Sequence, residues 1–328
     1  MSRFRTEGVG DCRYGLEKSR PRVVSSRNNL PFALQIILTI SLCQYGSCYA
    51  LSKTPFLEAH ECDATASKLS GTVPDRPYEI VARYPHDQDA FTQGLTFYRG
   101  NLYESTGKYR QSSLRLLDLE TGNVLKEQRL SHDLFGEGLT VLGQQLVQLT
   151  WKSGKAFLYT PDELRETGGF NINGEGWGAT GYRNQLVISD GSAWLRFLDA
   201  RDYHQLKRLQ VKFQGNPVKG LNELETVDGL IYANIYPGDC IAQIDPRSGQ
   251  VVGWINLEGL MPLSARSHSS AVTNGIAYNA ETGELFVTGK LWPYIYKLKL
   301  LRRKALPDIR PHHRQAPDDA GDMITNGV

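Results

Sequence analysis

The sequence predicts an all-β chain folded as a five-bladed β-propeller closed by an N-terminal strand. Three observations predict it. Apolar and polar residues alternate between about Tyr78 and Leu300 with no sustained helical period, the pattern of strands whose side chains point to opposite faces. One short segment recurs five times at spacings of 44, 40, 45 and 52 residues. Each recurrence is followed by further short strands bounded by Gly, Asn and Asp turns, and self-similarity at that period is the mark of propeller blades.

The recurring segments are QGLTF (93–97), EGLTV (137–141), WGATG (177–181), NELET (222–226) and NGIAY (274–278). Second strands follow as NLYEST, QLVQLT, QLVISD, GLIYAN and ELFVTG. Third strands run into polar or charged turns, as in LRLLDLETG, AFLYTPDE, LRFLDARD and IAQIDPRSG, with YIYKLKL in the fifth repeat. Four repeats own a fourth strand: VLKEQRL, ETGGFNI, QLKRLQV and VVGWINL. The fifth lacks one, whereas YEIVARYPHD (78–87) precedes the first repeat unpaired and can complete it. A β-sandwich is the alternative all-β architecture, but it does not repeat fivefold at this period.

Four segments follow from this reading. Residues 1–50 form a basic head with a signal peptide or signal anchor, 51–77 a polar linker, 78–300 the propeller, and 301–328 a polar, disordered tail. The head carries seven basic residues against three acidic ones, and the apolar run Leu30–Cys43 precedes small residues up to Ala50. A basic region followed by a short apolar run and a small residue suits entry to the secretory pathway, with a membrane anchor through the same run as the other outcome. The expected location is the lumen of the endoplasmic reticulum or Golgi, the vacuole, or the extracellular space. Because the whole chain carries +2, the residues after the head sum to −2. Such a body lacks the electrostatic footprint for polyphosphate, so no nucleic-acid partner is expected. Of five cysteines only Cys62 and Cys240 follow the head. No metal-ligand spacing exists among the five, and the two can pair or stay as thiols.

In a propeller the first strand of each blade lines the central channel, and the ends of those strands open onto the faces, where loops converge into binding sites. The repeat alignment puts Gln93, Glu137, Trp177, Asn222 and Asn274 at that entry point. Singly, such residues often cap strand ends; as a register-matched set they form a polar ring around one mouth. The loops between second and third strands open on the same region and carry Lys108, Trp151-Lys152, Gly191-Ser192, Tyr236-Pro237, and Lys290 with Trp292. Trp151, Trp177 and Tyr236 suggest an aromatic cage, although any one of them alone fits packing between blades.

Glu137 is the single carboxylate in the ring. Between Phe135 and two glycines it is expected to be partly desolvated, with the raised pKa that a general acid/base needs. Glu175 and Glu223 neighbour ring positions and are expected to point away. One carboxylate among amides makes a thin ligand set for catalytic metal, the seven histidines share no ligand spacing, and no G-x-S-x-G nucleophile setting occurs.

The strings FTQGL (91–95), LFGEGLT (134–140), LTWK (149–152), EGWG (175–178), LNELE (221–225), ANIYPGDCI (233–241) and TGKLWP (288–293) together resemble the plant-type glutaminyl cyclases. The resemblance implies a five-bladed propeller that converts N-terminal glutamine of peptides and proteins to pyroglutamate with release of ammonia. It implies a site of Phe91, Gln93, Phe135, Glu137, Trp151, Trp177, Asn222 and Lys290, with Tyr236 where the family usually has Trp. In that site Glu137 acts as acid/base, Asn222 and Lys290 complete the catalytic set, and the aromatic residues with Gln93 bind substrate. No cofactor is required for catalysis, a structural cation can occupy the channel, and a monomer acting on Gln-initiated peptides is expected. Three rival readings are a non-catalytic secreted peptide-binding propeller, a metal-dependent lactonase-like hydrolase, and a structural scaffold.

Overall fold

The computed structural model describes residues 75–301. The head, most of the linker and all but the first residue of the tail lie outside the described residues. Five four-stranded antiparallel sheets follow one another along the chain. Blade I comprises Thr92–Tyr98, Asn101–Thr106, Ser113–Leu117 and Val124–Arg129; blade II comprises Gly136–Leu142, Gln145–Thr150, Lys155–Tyr159 and Glu166–Asn171. Blade III comprises Ala179–Tyr182, Gln185–Ile188, Trp194–Asp199 and Gln205–Gln210; blade IV comprises Leu221–Val227, Leu230–Ile235, Cys240–Ile244 and Val251–Asn256. Blade V takes three strands from the end of the chain, Thr273–Asn279, Glu284–Gly289 and Tyr294–Leu300, and its outer strand, Tyr78–Pro85, from the beginning. The innermost strands touch in succession, and blade V returns to blade I. Asp75 bridges Trp254, and the Arg76 N–H donates to the Trp254 carbonyl.

Local chemistry makes these hairpins. The two-residue turns Arg99-Gly100 and Asp228-Gly229 have φ of 50° and 74°, and 48° and 81°. Positive φ at both turn positions matches the strand twist of a tight hairpin. The inner and middle strands are buried, whereas Val124–Arg129 on the rim is exposed throughout. The apolar core is therefore divided into clusters between adjacent blades, the largest joining blades III and IV through Phe197, Leu224, Ile231 and Trp254.

The axis has almost no room for side chains. Four repeats carry glycine after the ring residue, and in three of them it lies tight against the next inner strand: a Cβ on Gly94 would meet the Leu139 nitrogen at 2.4 Å, one on Gly138 the Ala179 nitrogen at 2.6 Å, and one on Gly178 the Asn222 carbonyl oxygen at 1.9 Å. Blade IV has Glu223 at the equivalent position, fully buried, and its carboxyl accepts the N–H groups of Leu95 (3.4 Å) and Ile276 (2.9 Å). One side chain thus satisfies backbone donors on two other blades. Two residues on, the buried Glu225 accepts the Tyr278 N–H at 3.1 Å.

Burial raises the pKa of both carboxyls, that of Glu225 to about 8 from its ordinary 4.5. The folded chain therefore holds a proton that the unfolded chain releases between those values. The stability lent by that proton is complete below 4.5 and is lost as the pH rises through about 8. Gln at 225 retains the acceptor for Tyr278 without the ionisation. Glu225→Gln is therefore expected to gain thermal stability over the native chain progressively between pH 5 and pH 8, read by melting at several pH values. A gap that shrinks with rising pH contradicts the assignment.

Blade closure carries its own buried pair. His86, just after the outer strand of blade V, donates from Nε2 to Glu104 Oε1 of blade I (2.9 Å) and from Nδ1 to the Trp292 carbonyl (2.8 Å). With both ring nitrogens facing acceptors, the imidazolium form is favoured, and despite desolvation its pKa is raised by the Glu104 charge. The contact ties blade I to the loop that follows Lys290.

Candidate active site

The ring residues lie where strand pairing breaks. Register shifts fall between Thr92 and Gly94, Gly136 and Leu139, Leu221 and Leu224, and Thr273 and Ile276. Gln93, Glu137, Asn222 and Asn274 thus sit in β-bulges, which re-aim a side chain away from the pleat. Trp177 instead precedes its strand, anchored by its N–H to the Ser189 carbonyl at 2.9 Å.

These residues open on a cavity of about 320 Å³ lined by Phe91, Gln93, Phe135, Glu137, Trp151, Trp177, Asn222, Tyr236, Ser270 and Lys290. The eight residues implied by the family resemblance, together with Tyr236, all line it. Asn274 does not; fully buried beneath, it donates from Nδ2 to the Thr92 carbonyl (3.0 Å) and to Gln93 Oε1 (3.5 Å). Gln93 in turn donates from Nε2 to Glu137 Oε1 at 3.0 Å. The amide pair thereby sets the orientation of the carboxyl.

Aromatic rings form the walls. Phe135 meets Phe91 edge-on with centroids 6.2 Å apart and Trp151 at 5.5 Å, while Trp177 meets Tyr236 edge-on at 5.8 Å. Gly107 gives Phe135 its place, since a Cβ there would lie 2.3 Å from the ring. Gly191, with φ of +77°, lies against the Trp177 indole, where a Cβ would sit 2.7 Å from the ring. Glu175, expected to point away from the mouth, does not line the cavity but accepts both indole N–H groups, Trp151 Nε1 and Trp177 Nε1, each at 2.8 Å. Glu223 is directed into the axis as described. Trp292 is fully buried in a core cluster and takes no part in the wall.

Lys290 is 6 % exposed, with Nζ 4.9 Å from the Phe91 ring centroid and 5.5 Å from that of Tyr236. Glu137 is 5 % exposed. Burial holds the Glu137 carboxyl well above the ordinary range; the Lys290 charge opposes that shift and the Glu175 charge adds to it. Burial likewise lowers the pKa of the Lys290 ammonium, against the pull of Glu137. Both groups are drawn toward their neutral forms, as suits a pair of groups that handles a proton. Asn222 is 2 % exposed, and its Oδ1 is buried without a hydrogen-bond partner.

Ser270 was missed because residues 257–272 belong to no blade strand. The 52-residue spacing of the last repeat, longer than the other three, was the available sign of an added loop there. A larger hollow of about 820 Å³ lies at the opposite ends of the inner strands, lined by Tyr182, Arg183, Asp199, Arg201 and Arg247 among others. Two of its arginines are ion-paired, Arg201 with Asp199 and Arg247 with Asp245. Among the described residues, the one cluster of potential metal ligands is half-buried Asp199 with exposed Asp202 and His204, at that end of the blade.

Comparison with known proteins shows the family and the fold. The chain is 37 % identical over 286 residues, 86 % of its length and 88 % of the relative's, to a glutaminyl-peptide cyclotransferase of Arabidopsis thaliana. The crystal structure of Myxococcus xanthus glutaminyl cyclase superimposes with a TM-score of 0.65 at 38 % identity, covering 69 % of this chain and 97 % of that one. With residues 53–300 also matching the family model described as glutamine cyclotransferase, the chain belongs to that family.

Proposed function

We propose that this glutaminyl-peptide cyclotransferase closes the N-terminal glutamine of peptides and proteins with Glu137 as its general acid/base. The observation that carries the proposal is the buried Glu137 carboxyl at the floor of an aromatic cavity, oriented by Gln93 and faced by Lys290. The glutamine side chain enters between Trp151, Trp177 and Tyr236. Its α-amine attacks the side-chain amide carbon, forming the new C–N bond of the five-membered ring. Both reacting groups belong to one residue, so folding it into a near-attack conformer supplies much of the rate. Glu137 takes a proton from the attacking amine and delivers it to the amide nitrogen as the old C–N bond breaks, so that ammonia leaves and the carboxyl returns to its starting state. Lys290 and Asn222 hold the amide oxygen as negative charge develops. Gln93 already spends one N–H on Glu137, which gives it an orienting role.

The cavity lining offers a metal one carboxylate and no histidine or cysteine, which fits a reaction run by protein groups alone. The basic head argues for the secretory pathway, and Cys240 is disulfide-bonded, as suits an oxidising compartment. The test is ammonia release from a Gln-initiated peptide by the full chain, with and without chelator. Turnover that survives chelation supports the proposal. Turnover abolished by chelation overturns its metal-free chemistry, and a folded protein that binds the peptide without turnover is a binding propeller.

A further inference from the structure

We propose that Glu175 is the positioning residue of the aromatic cage, one carboxylate oxygen fixing the planes of both tryptophans that grip the substrate. Trp151 comes from the loop between the second and third strands of blade II, and Trp177 from the entry to blade III. The Gly176 N–H donates to the Trp151 carbonyl at 3.1 Å, which joins the two segments through the backbone, and their side chains share a partner as well. Both indole N–H groups converge on Glu175 Oε2, each at 2.8 Å. An indole nitrogen only donates, so a shared charged acceptor holds both rings more firmly than neutral partners would.

Glu175 is itself braced. Arg196, 6 % exposed on the third strand of blade III, donates from Nη2 to the Glu175 carbonyl at 2.5 Å and from Nη1 to the Asn173 carbonyl. Its Nε lies 3.6 Å from Asp190 Oδ2. The segment carrying Glu175 is therefore tied to the blade, and the two indoles are tied to that segment.

The same carboxylate has a second consequence. Gln93, Lys290 and Glu175 are the polar and charged groups that act on Glu137: Gln93 donates to it, the Lys290 charge favours its ionised form, and the Glu175 charge disfavours it. Glu175 thus links the grip on the substrate to the proton affinity of the acid/base. A residue that merely supported the fold would not move both.

The inference rests on the cyclotransferase reading of this cavity. Its test compares E175A and E175Q with the native full chain on a Gln-initiated peptide, with melting to confirm folding. E175A releases both indoles and should raise KM about 10-fold or more, the factor for one lost interaction of ordinary strength. E175Q keeps a carbonyl oxygen for both N–H groups and loses the charge. Its KM should return to within about 3-fold of the native value, while the acid limb of its kcat/KM–pH profile moves to lower pH. An E175A enzyme with native KM overturns the inference, as does an E175Q enzyme no better than E175A or one with an unmoved acid limb. Should E175A fail to fold, E175Q alone decides through its KM and acid limb. A native chain that releases no ammonia sinks the reaction assignment instead; an active native chain with unresponsive variants sinks the clamp alone.

Discussion

Glu137→Gln is expected to lower turnover of a Gln-initiated peptide by about 10²–10⁴, the range for loss of a general acid/base, with no loss of fold. The substitution is nearly isosteric, and its carbonyl oxygen still accepts the Gln93 N–H that now reaches Glu137 at 3.0 Å. The sign of the stability change follows from the pKa. Burial raises the folded-state value well above 4.5, so the native chain binds a proton that the unfolded chain releases. The stability this lends is complete below 4.5 and is lost as the pH rises through the folded value. A neutral amide escapes that loss, so at neutral pH the variant should be at least as stable as the native chain. In the native enzyme the acid limb of kcat/KM should fall well above the ordinary carboxyl range. Ammonia release across pH, with a urea midpoint for each protein, checks both statements; a folded variant retaining a tenth of native turnover refutes the role.

Lys290→Met and Asn222→Ala should each reduce kcat by about 10²–10³, the loss for one donor to a developing oxyanion. Met keeps an unbranched side chain of similar length where the ammonium now lies near the Phe91 and Tyr236 rings, which separates charge from packing. Lys290→Met should also move the acid limb to higher pH, because the ammonium is the charge that favours ionised Glu137. Asn222→Ala removes no charge and should leave that limb in place. If either variant raises KM with kcat unchanged, the residue binds substrate and transition state equally and the oxyanion role fails.

Much of this site was legible because a propeller turns sequence period into spatial symmetry. Once QGLTF, EGLTV, WGATG, NELET and NGIAY are aligned, Gln93, Glu137, Trp177 and Asn222 must converge, since equivalent positions of successive blades surround one axis. The loop residues Trp151, Tyr236 and Lys290 follow from the same register, and Phe91 and Phe135 came with the family resemblance. The alignment could not say which members of the ring see the cavity. Asn274 occupies the equivalent position and is buried beneath Gln93, a difference of depth that a one-dimensional register does not contain.

The sequence by itself determined the strands, their fivefold order and the chemical types gathered at one mouth, because alternation, turn residues and repeats are local signals. Tertiary structure alone decided how those groups are aimed. The bulges at Gln93, Glu137, Asn222 and Asn274 arise from pairing between strands. The role of Glu223 depends on three blades meeting with no space for other side chains. The convergence of Trp151 and Trp177 on Glu175 joins two blades through a residue whose neighbours in sequence reveal nothing of it. Each depends on distances between segments far apart in the chain, and burial, orientation and pKa exist only once those distances are set.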